Sequence, residues 1–356
     1  MTSQSSSTSP AFEDISQKIY FLRLFLILPI ILIHARFMSP DYPDNWCKWL
    51  EENILVGKVP HCAVTAFFVI SGYLFTWTDN SNYLEFLKKK CRSLLIPYVL
   101  WNTILMVFHL LRGMVANFAL LPSFKYADMT PWQIFVRSYG LDMGAPIDVP
   151  LWYVRNLLIF FPLAPLLLWV IRRIPVWLTP IILIITSFLL KDSSIIFFCF
   201  GMYCRHCDLD LRPLNKWWPF AMGIPLAYFI LAEFHWMDWR ALQWISLPFY
   251  VSCATLMQRL PKHLQEHIIH LGQYSFWIFC IHSPLATTLA RAGRAMHFLG
   301  MPPVLYVFAN CALTFIICVM ALRILRRITP VLASVLCGTR VPKSRTKNAQ
   351  AIVEKQ

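Results

Sequence analysis

The chain has 356 residues, of which 58% are hydrophobic and 15% aromatic, while only 14% are charged. A soluble domain carries about 25% charged residues, so the composition excludes an ordinary soluble enzyme and describes a polytopic membrane protein with no separate soluble domain. The formal net charge of +14 suggests nucleic acid, but the placement of that charge along the chain accounts for it without one.

The N-terminal MTSQSSSTSP is polar. The apolar run after it has neither a basic leader nor a small-residue cleavage site, so it is expected to remain as a span. Ten spans are predicted, at about 20–38, 60–78, 93–112, 151–171, 175–190, 193–204, 217–233, 241–258, 273–290 and 302–322. The short segments 175–190 and 193–204 also fit a re-entrant pair. The expected fold class is therefore all-α, with about ten transmembrane helices. A polar tail (1–18) comes first, then a membrane domain (19–328), then a basic tail (329–356). With the N-terminus inside, the inner segments hold about two thirds of the Lys and Arg but fewer than half of the Asp and Glu. That is the positive-inside bias, and it puts both termini in the cytoplasm. The tail RVPKSRTKNAQAIVEKQ is expected to rest on anionic lipid.

In the first span, Arg23 and His34 stand in the otherwise apolar IYFLRLFLILPIILIHARF. An ionisable group within a span is costly and usually faces the protein interior or a cavity. Eleven residues come within about 20° of three full turns, so both side chains share one helix stripe, roughly 16 Å apart along the axis. A neutral imidazole can take a proton from a hydroxyl at physiological pH. Alone, His34 also reads as a core histidine and Arg23 as an interfacial anchor; the shared stripe favours function.

The loop Ser39–Val59 holds Asp41, Tyr42, Asp44, Trp46 and Trp49. The second span follows, with FFVISGYLF containing Ser71, Gly72 and Tyr73; a Ser-Gly step admits close approach of another helix. Next comes Lys88-Lys89-Lys90-Cys91-Arg92, which marks a cytoplasmic edge and also suits an anionic nucleotide, with Arg giving forked bonds and Lys a point charge. The outer loop Gly113–Pro150 carries Asp128, Trp132, Tyr139, Asp142 and Asp148. Its aromatics beside carboxylates read as an interfacial belt or as a carbohydrate platform. Trp152, Tyr153 and Arg155 open the fourth span; Arg155 either pairs structurally or binds acceptor. Cys204-Arg205-His206-Cys207 has Cys-x-x-Cys spacing, but no second pair lies nearby, so no metal site is expected. The eleven Cys are scattered through apolar stretches and form no disulfide pattern. His282 lies mid-span in the ninth helix, before Pro284, either as a bonded histidine at a bend or as a site residue.

Taken together and in order, Arg-x10-His, FFVISGYLF, RSLLIPY behind a basic cluster, PLWYVRNLL and LGQYSFWI followed by IHSP resemble membrane acyltransferase family 3, from about Tyr20 to about Leu322. The resemblance implies a ten-helix enzyme of the bacterial inner membrane that O-acylates surface carbohydrate such as exopolysaccharide or lipopolysaccharide O-antigen. The acyl group is usually acetyl from acetyl-CoA, a co-substrate and not a tightly bound cofactor. His34 matches the family's essential histidine and Arg23 its companion arginine. The Arg-x-Arg cluster thought to engage the CoA phosphates falls on Lys90 and Arg92, so the first position departs from the pattern. The acidic residue that some relatives carry in the late helices has no counterpart here. Neither does the extracytoplasmic SGNH-type domain, and the membrane part is expected to complete transfer alone.

These readings converge on one expectation. Acyl-CoA docks at Lys88, Lys89, Lys90, Arg92 and Arg23, and its pantetheine arm threads toward His34, which deprotonates the sugar hydroxyl for direct attack. Ser71, Tyr73, Trp152, Tyr153, Arg155 and His282 line the acceptor side or the pore. An acyl-Ser71 route is less favoured because no base pairs with Ser71 in the sequence. Membrane lipid, carbohydrate acceptor and glycan-assembly proteins are the expected partners. A polysaccharide or small-molecule transporter is the rival reading, since it too uses intramembrane Arg and His.

Overall fold

A computed structural model of the protein describes residues 10–37, 46–76, 83–114, 129–233, 238–295 and 302–338. The polar residues through 9, Asp41, Tyr42, Asp44, Asp128 and the basic tail beyond Gly338 lie outside the described residues. Within them, every regular element is helical. In chain order these are α1 (Pro10–His34), α2 (Trp46–Trp49), α3 (Lys58–Thr76), α4 (Tyr83–Met114), α5 (Pro131–Ser138), α6 (Trp152–Arg173) and α7 (Thr179–Leu189). They continue with α8 (Ser194–His206), α9 (Trp218–Glu233), α10 (Trp239–Met257), α11 (Lys262–Gly272), α12 (Ser275–Ala295), α13 (Pro303–Ile328) and α14 (Pro330–Leu336).

Each of the ten expected segments contains a helix. Four stretches, Glu13–His34, Tyr83–Leu111, Val149–Arg173 and Val304–Ile328, are long and apolar enough to cross a membrane. At 11 and 13 residues, α7 and α8 are only about 16–20 Å long, short of the ~30 Å hydrocarbon layer. The basic cluster is not a loop before the third span, because α4 begins at Tyr83 and carries it as helix. The run Tyr83–Lys90 is made of residues that tolerate helix, and Glu85 pairs with Lys89 one turn on, at 3.5 Å. Pro97, Pro162, Pro165 and Pro284 lie within continuous helices; neighbouring helices re-satisfy the freed carbonyls in such bundles.

The helix that carries Arg23 and His34 is central, packing against α3, α10, α11, α12 and α13. Half of its apolar window is buried, against 17% for α4. The periphery is apolar instead of charged: Ile104, Phe108 and Leu111 of α4, Ile181 and Ile185 of α7, and Ile316 and Met320 of α13 all face outward. That is the arrangement of a protein whose solvent is lipid.

The Ser-Gly step of α3 does what its small size predicts. A Cβ on Gly72 would lie 1.9 Å from the Phe198 carbonyl oxygen, and one on Gly201 would lie 2.0 Å from the Val69 oxygen. The two glycines thus let the α3 and α8 backbones touch. The connection between α4 and α6 is clamped by polar bonds. Tyr98 Oη donates to the Tyr139 carbonyl at 2.5 Å, Thr103 Oγ1 lies 2.6 Å from Tyr139 Oη, and the Asp148 N–H donates to Asn102 Oδ1 at 3.1 Å.

Candidate active site

A cavity of about 430 Å³ opens between α1, α3, α4, α6 and α12. Two cations reach it, Arg23 from α1 and Lys90 from α4, near enough for their charges to repel. Among the described residues neither forms an ion pair with a carboxylate. They are held over aromatic faces: the Arg23 guanidinium is 5.5 Å from the Tyr20 ring centroid, and Lys90 Nζ is 5.6 Å from Phe86 and 5.3 Å from Phe161. Two uncompensated cations on one cavity wall favour an anionic occupant. The turn after α14 closes part of this wall. Gly338 sits at φ +61°, and a Cβ there would meet the Ser93 carbonyl oxygen at 1.9 Å, so only glycine fits.

The basic cluster splits. Lys90 lines the cavity, whereas Lys88, Lys89 and Arg92 are exposed on other faces of α4. Helical spacing dictates this, because consecutive residues point about 100° apart.

Deeper in, Ser71 Oγ lies 2.7 Å from Tyr153 Oη, and Tyr153 Oη also donates to the Phe67 carbonyl at 3.3 Å. The partner that sequence reasoning lacked for Ser71 is therefore a phenol and not a base. Phe68 packs on Tyr153 (4.6 Å) and on Trp152 (5.7 Å), and Phe279 of α12 packs on Tyr153 at 5.5 Å.

His34 continues the Arg23–Ile27 stripe but does not line this cavity. Phe279, which lines the cavity, has its ring 6.0 Å from that of His282. The His34 and His282 rings are 5.1 Å apart, and His34 Nδ1 is 3.2 Å from Ser283 Oγ. His282 Nδ1 is 2.9 Å from the carbonyls of Ile278 and Phe279. A carbonyl only accepts, so Nδ1 carries the proton and Nε2 is a bare acceptor. That Nε2 is buried with no hydrogen-bond partner among the described residues. The cavity that Arg23 enters therefore does not extend to His34, which reaches it through the ring contacts of His282 and Phe279.

Other expected site residues are placed elsewhere. Tyr73 is buried toward a separate apolar cavity beside Lys18, with the Arg205 guanidinium 5.6 Å from its ring. Lys18 is itself buried and paired with Asp14 at 2.5 Å, a one-turn pair that the sequence spacing allowed. Arg155 donates to the carbonyls of Gly140 (2.8 Å) and Gly144, which ties the connection between α4 and α6 to α6. Asp148 is no surface carboxylate: it is 1% exposed, both oxygens lack partners among the described residues, and burial pushes its carboxyl well above the usual range. Trp132 is exposed and stacks on Phe135 at 5.6 Å. Ser283 was missed as a site residue. Its only signal was its place beside His282, and its contact with α1 is set by packing.

Residues 17–323 match acyltransferase family 3, described as an acyltransferase domain. The chain belongs to this family. It is therefore an acyltransferase, built as a membrane-type bundle of apolar helices. A similar relative is the succinoglycan biosynthesis protein ExoH of Rhizobium meliloti (strain 1021), 25% identical over 358 residues that cover 93% of this chain and 94% of the relative. No solved structure matches.

Proposed function

We propose that this acyltransferase moves an acetyl or similar acyl group from cytosolic acyl-CoA to a hydroxyl of a surface polysaccharide or lipid-linked sugar. In this reading it lies in a bacterial inner membrane, with ten spans and both termini inside. The observation that carries the proposal is the cavity that holds Arg23 and Lys90 without a carboxylate partner among the described residues. Acyl-CoA is a polyanion on a thin pantetheine arm; its phosphates meet the two cations, and the arm extends past Ser71 and Tyr153 toward Phe279.

The chemistry then runs in one displacement. His34, held at Nδ1 by Ser283, takes the acceptor hydroxyl proton at Nε2. The hydroxyl oxygen bonds to the thioester carbonyl carbon, the carbon–sulfur bond breaks, and the CoA thiolate leaves with the electron pair. Phe279 must swing aside for thioester and histidine to meet, which keeps the donor from water until an acceptor is present. A polysaccharide as acceptor is supported by the relative named for succinoglycan biosynthesis.

The test is transfer of radiolabelled acetyl-CoA and succinyl-CoA, in membranes, to glycan stripped of its esters with alkali. His34→Ala and His34→Gln are expected to lose about 10²–10⁴-fold in kcat while inserting at wild-type levels. Full activity in either variant would remove His34 from the reaction. Stable label on the wild-type chain would favour an acyl-enzyme.

A further inference from the structure

A second cavity, of about 200 Å³, lies between the first residues of α3, the start of α6, the α7–α8 connection and α10. Resting on the function proposed above, we propose that it is the acceptor subsite and holds a sugar residue of the glycan. Its wall offers His61, Thr65, Trp152, Lys191, Asp192 and Gln243.

The chemistry of that wall is a polyol's. Thr65 is 3% exposed, yet its hydroxyl makes no hydrogen bond among the described residues. Gln243 is 8% exposed and accepts from Ser193 Oγ at 3.3 Å through its carbonyl oxygen, which leaves the amide NH2 as a donor. His61 Nδ1 is 2.6 Å from the Gly57 carbonyl, so Nδ1 carries the proton and Nε2 accepts. Asp192 adds acceptors and is held in place by the Ser194 N–H (2.8 Å) and by Asn156 Nδ2 (3.3 Å). Lys191 adds a donor, and Trp152 supplies a ring face. Donors and acceptors of both charges around one aromatic suit neutral hydroxyls. They do not suit a polyphosphate, which Asp192 repels, or an acyl chain, which would leave Thr65 and Gln243 unpaired.

Position supports the assignment. Trp152 faces this cavity, Tyr153 faces the cationic one, and the Phe68 ring packs on both. The two cavities are thus neighbours across a partition of aromatic rings. Along α3, His61 and Ser71 are about 15 Å apart, so the second cavity lies toward the opposite membrane face from Lys90. His61 is also close enough to His34 for their charges to interact. In the proposed reaction the acceptor enters from this cavity, while the donor arrives from the cationic one.

The test uses alkali-stripped polysaccharide fragments from the producing cells as acceptor and acetyl-CoA as donor. Lys191→Ala, at an exposed position that leaves the core intact, and the near-isosteric Thr65→Val are each expected to raise the acceptor KM about tenfold or more, with the acyl-CoA KM unchanged. An acceptor KM within twofold of wild type in Lys191→Ala overturns the subsite while the proposed function stands. So does a parallel rise in both KM values, which reports general damage. If the wild-type protein places no acyl group on the glycan, the proposed function fails and the subsite with it.

Discussion

Among the basic side chains of Lys88–Arg92, only Lys90 lines the cationic cavity, and that selection carries a prediction. Lys90→Ala is expected to raise the KM for acyl-CoA at least tenfold, and the gap from wild type should narrow as salt screens the wild-type attraction. Lys88→Ala and Lys89→Ala should change it less than twofold. Initial rates at varied acyl-CoA and ionic strength check this; equal effects from all three would point to a diffuse surface field. Arg23 was legible from sequence because a charge inside an apolar run is costly wherever the helix packs. Lys90 was legible only as one of a set, because the choice within the cluster depends on how α4 is rotated. Asp148 shows the reverse: read as a surface carboxylate, it is buried, bonded through its backbone to Asn102. Burial by distant segments leaves no trace in local sequence.

At the scale of elements, the α3–α8 contact is the most sharply determined. Gly72→Ala or Gly201→Ala would drive a methyl group into a backbone carbonyl across the interface. Overpacking of that kind costs typically 1–3 kcal/mol, so the melting temperature in detergent should fall by several degrees. Gly223→Ala is the control, since a Cβ there meets nothing within 4 Å; the gain in helix propensity should leave it equal or slightly more stable. Differential scanning fluorimetry separates the cases. The Ser-Gly step announced a close approach, but its partner lies well over a hundred residues away. Apolar runs identify helices because in lipid the backbone must bond to itself. They do not say where a helix starts when the preceding segment also tolerates helix, as with Tyr83–Lys90.

For the whole molecule, the proposed topology has Lys90 and Trp152 address different sides of the membrane. A fluorescent reporter fused after Gln356 is expected to fold and glow, since such reporters mature in the cytoplasm. A periplasmic phosphatase placed at Trp132 should be active. Dark C-terminal fusions together with a silent phosphatase at Trp132 would invert the topology and the direction of transfer with it. The short α7 and α8 are the segments for which hydropathy had least to offer, because neither alone matches the hydrocarbon thickness.

Sequence by itself determined that this is a helical membrane acyltransferase, and that Arg23 and His34 share one stripe. Composition, charge placement and helical period are local quantities, and the family's motifs are strings. Tertiary structure alone decided which cation enters the cavity, that Ser71 meets a tyrosine, that Ser283 and His282 attend His34, and that Phe279 lines the cavity while His34 does not. Each of those depends on residues brought together from separate helices, and the rotation and depth of each helix are set by packing against neighbours, which no single stretch of chain encodes.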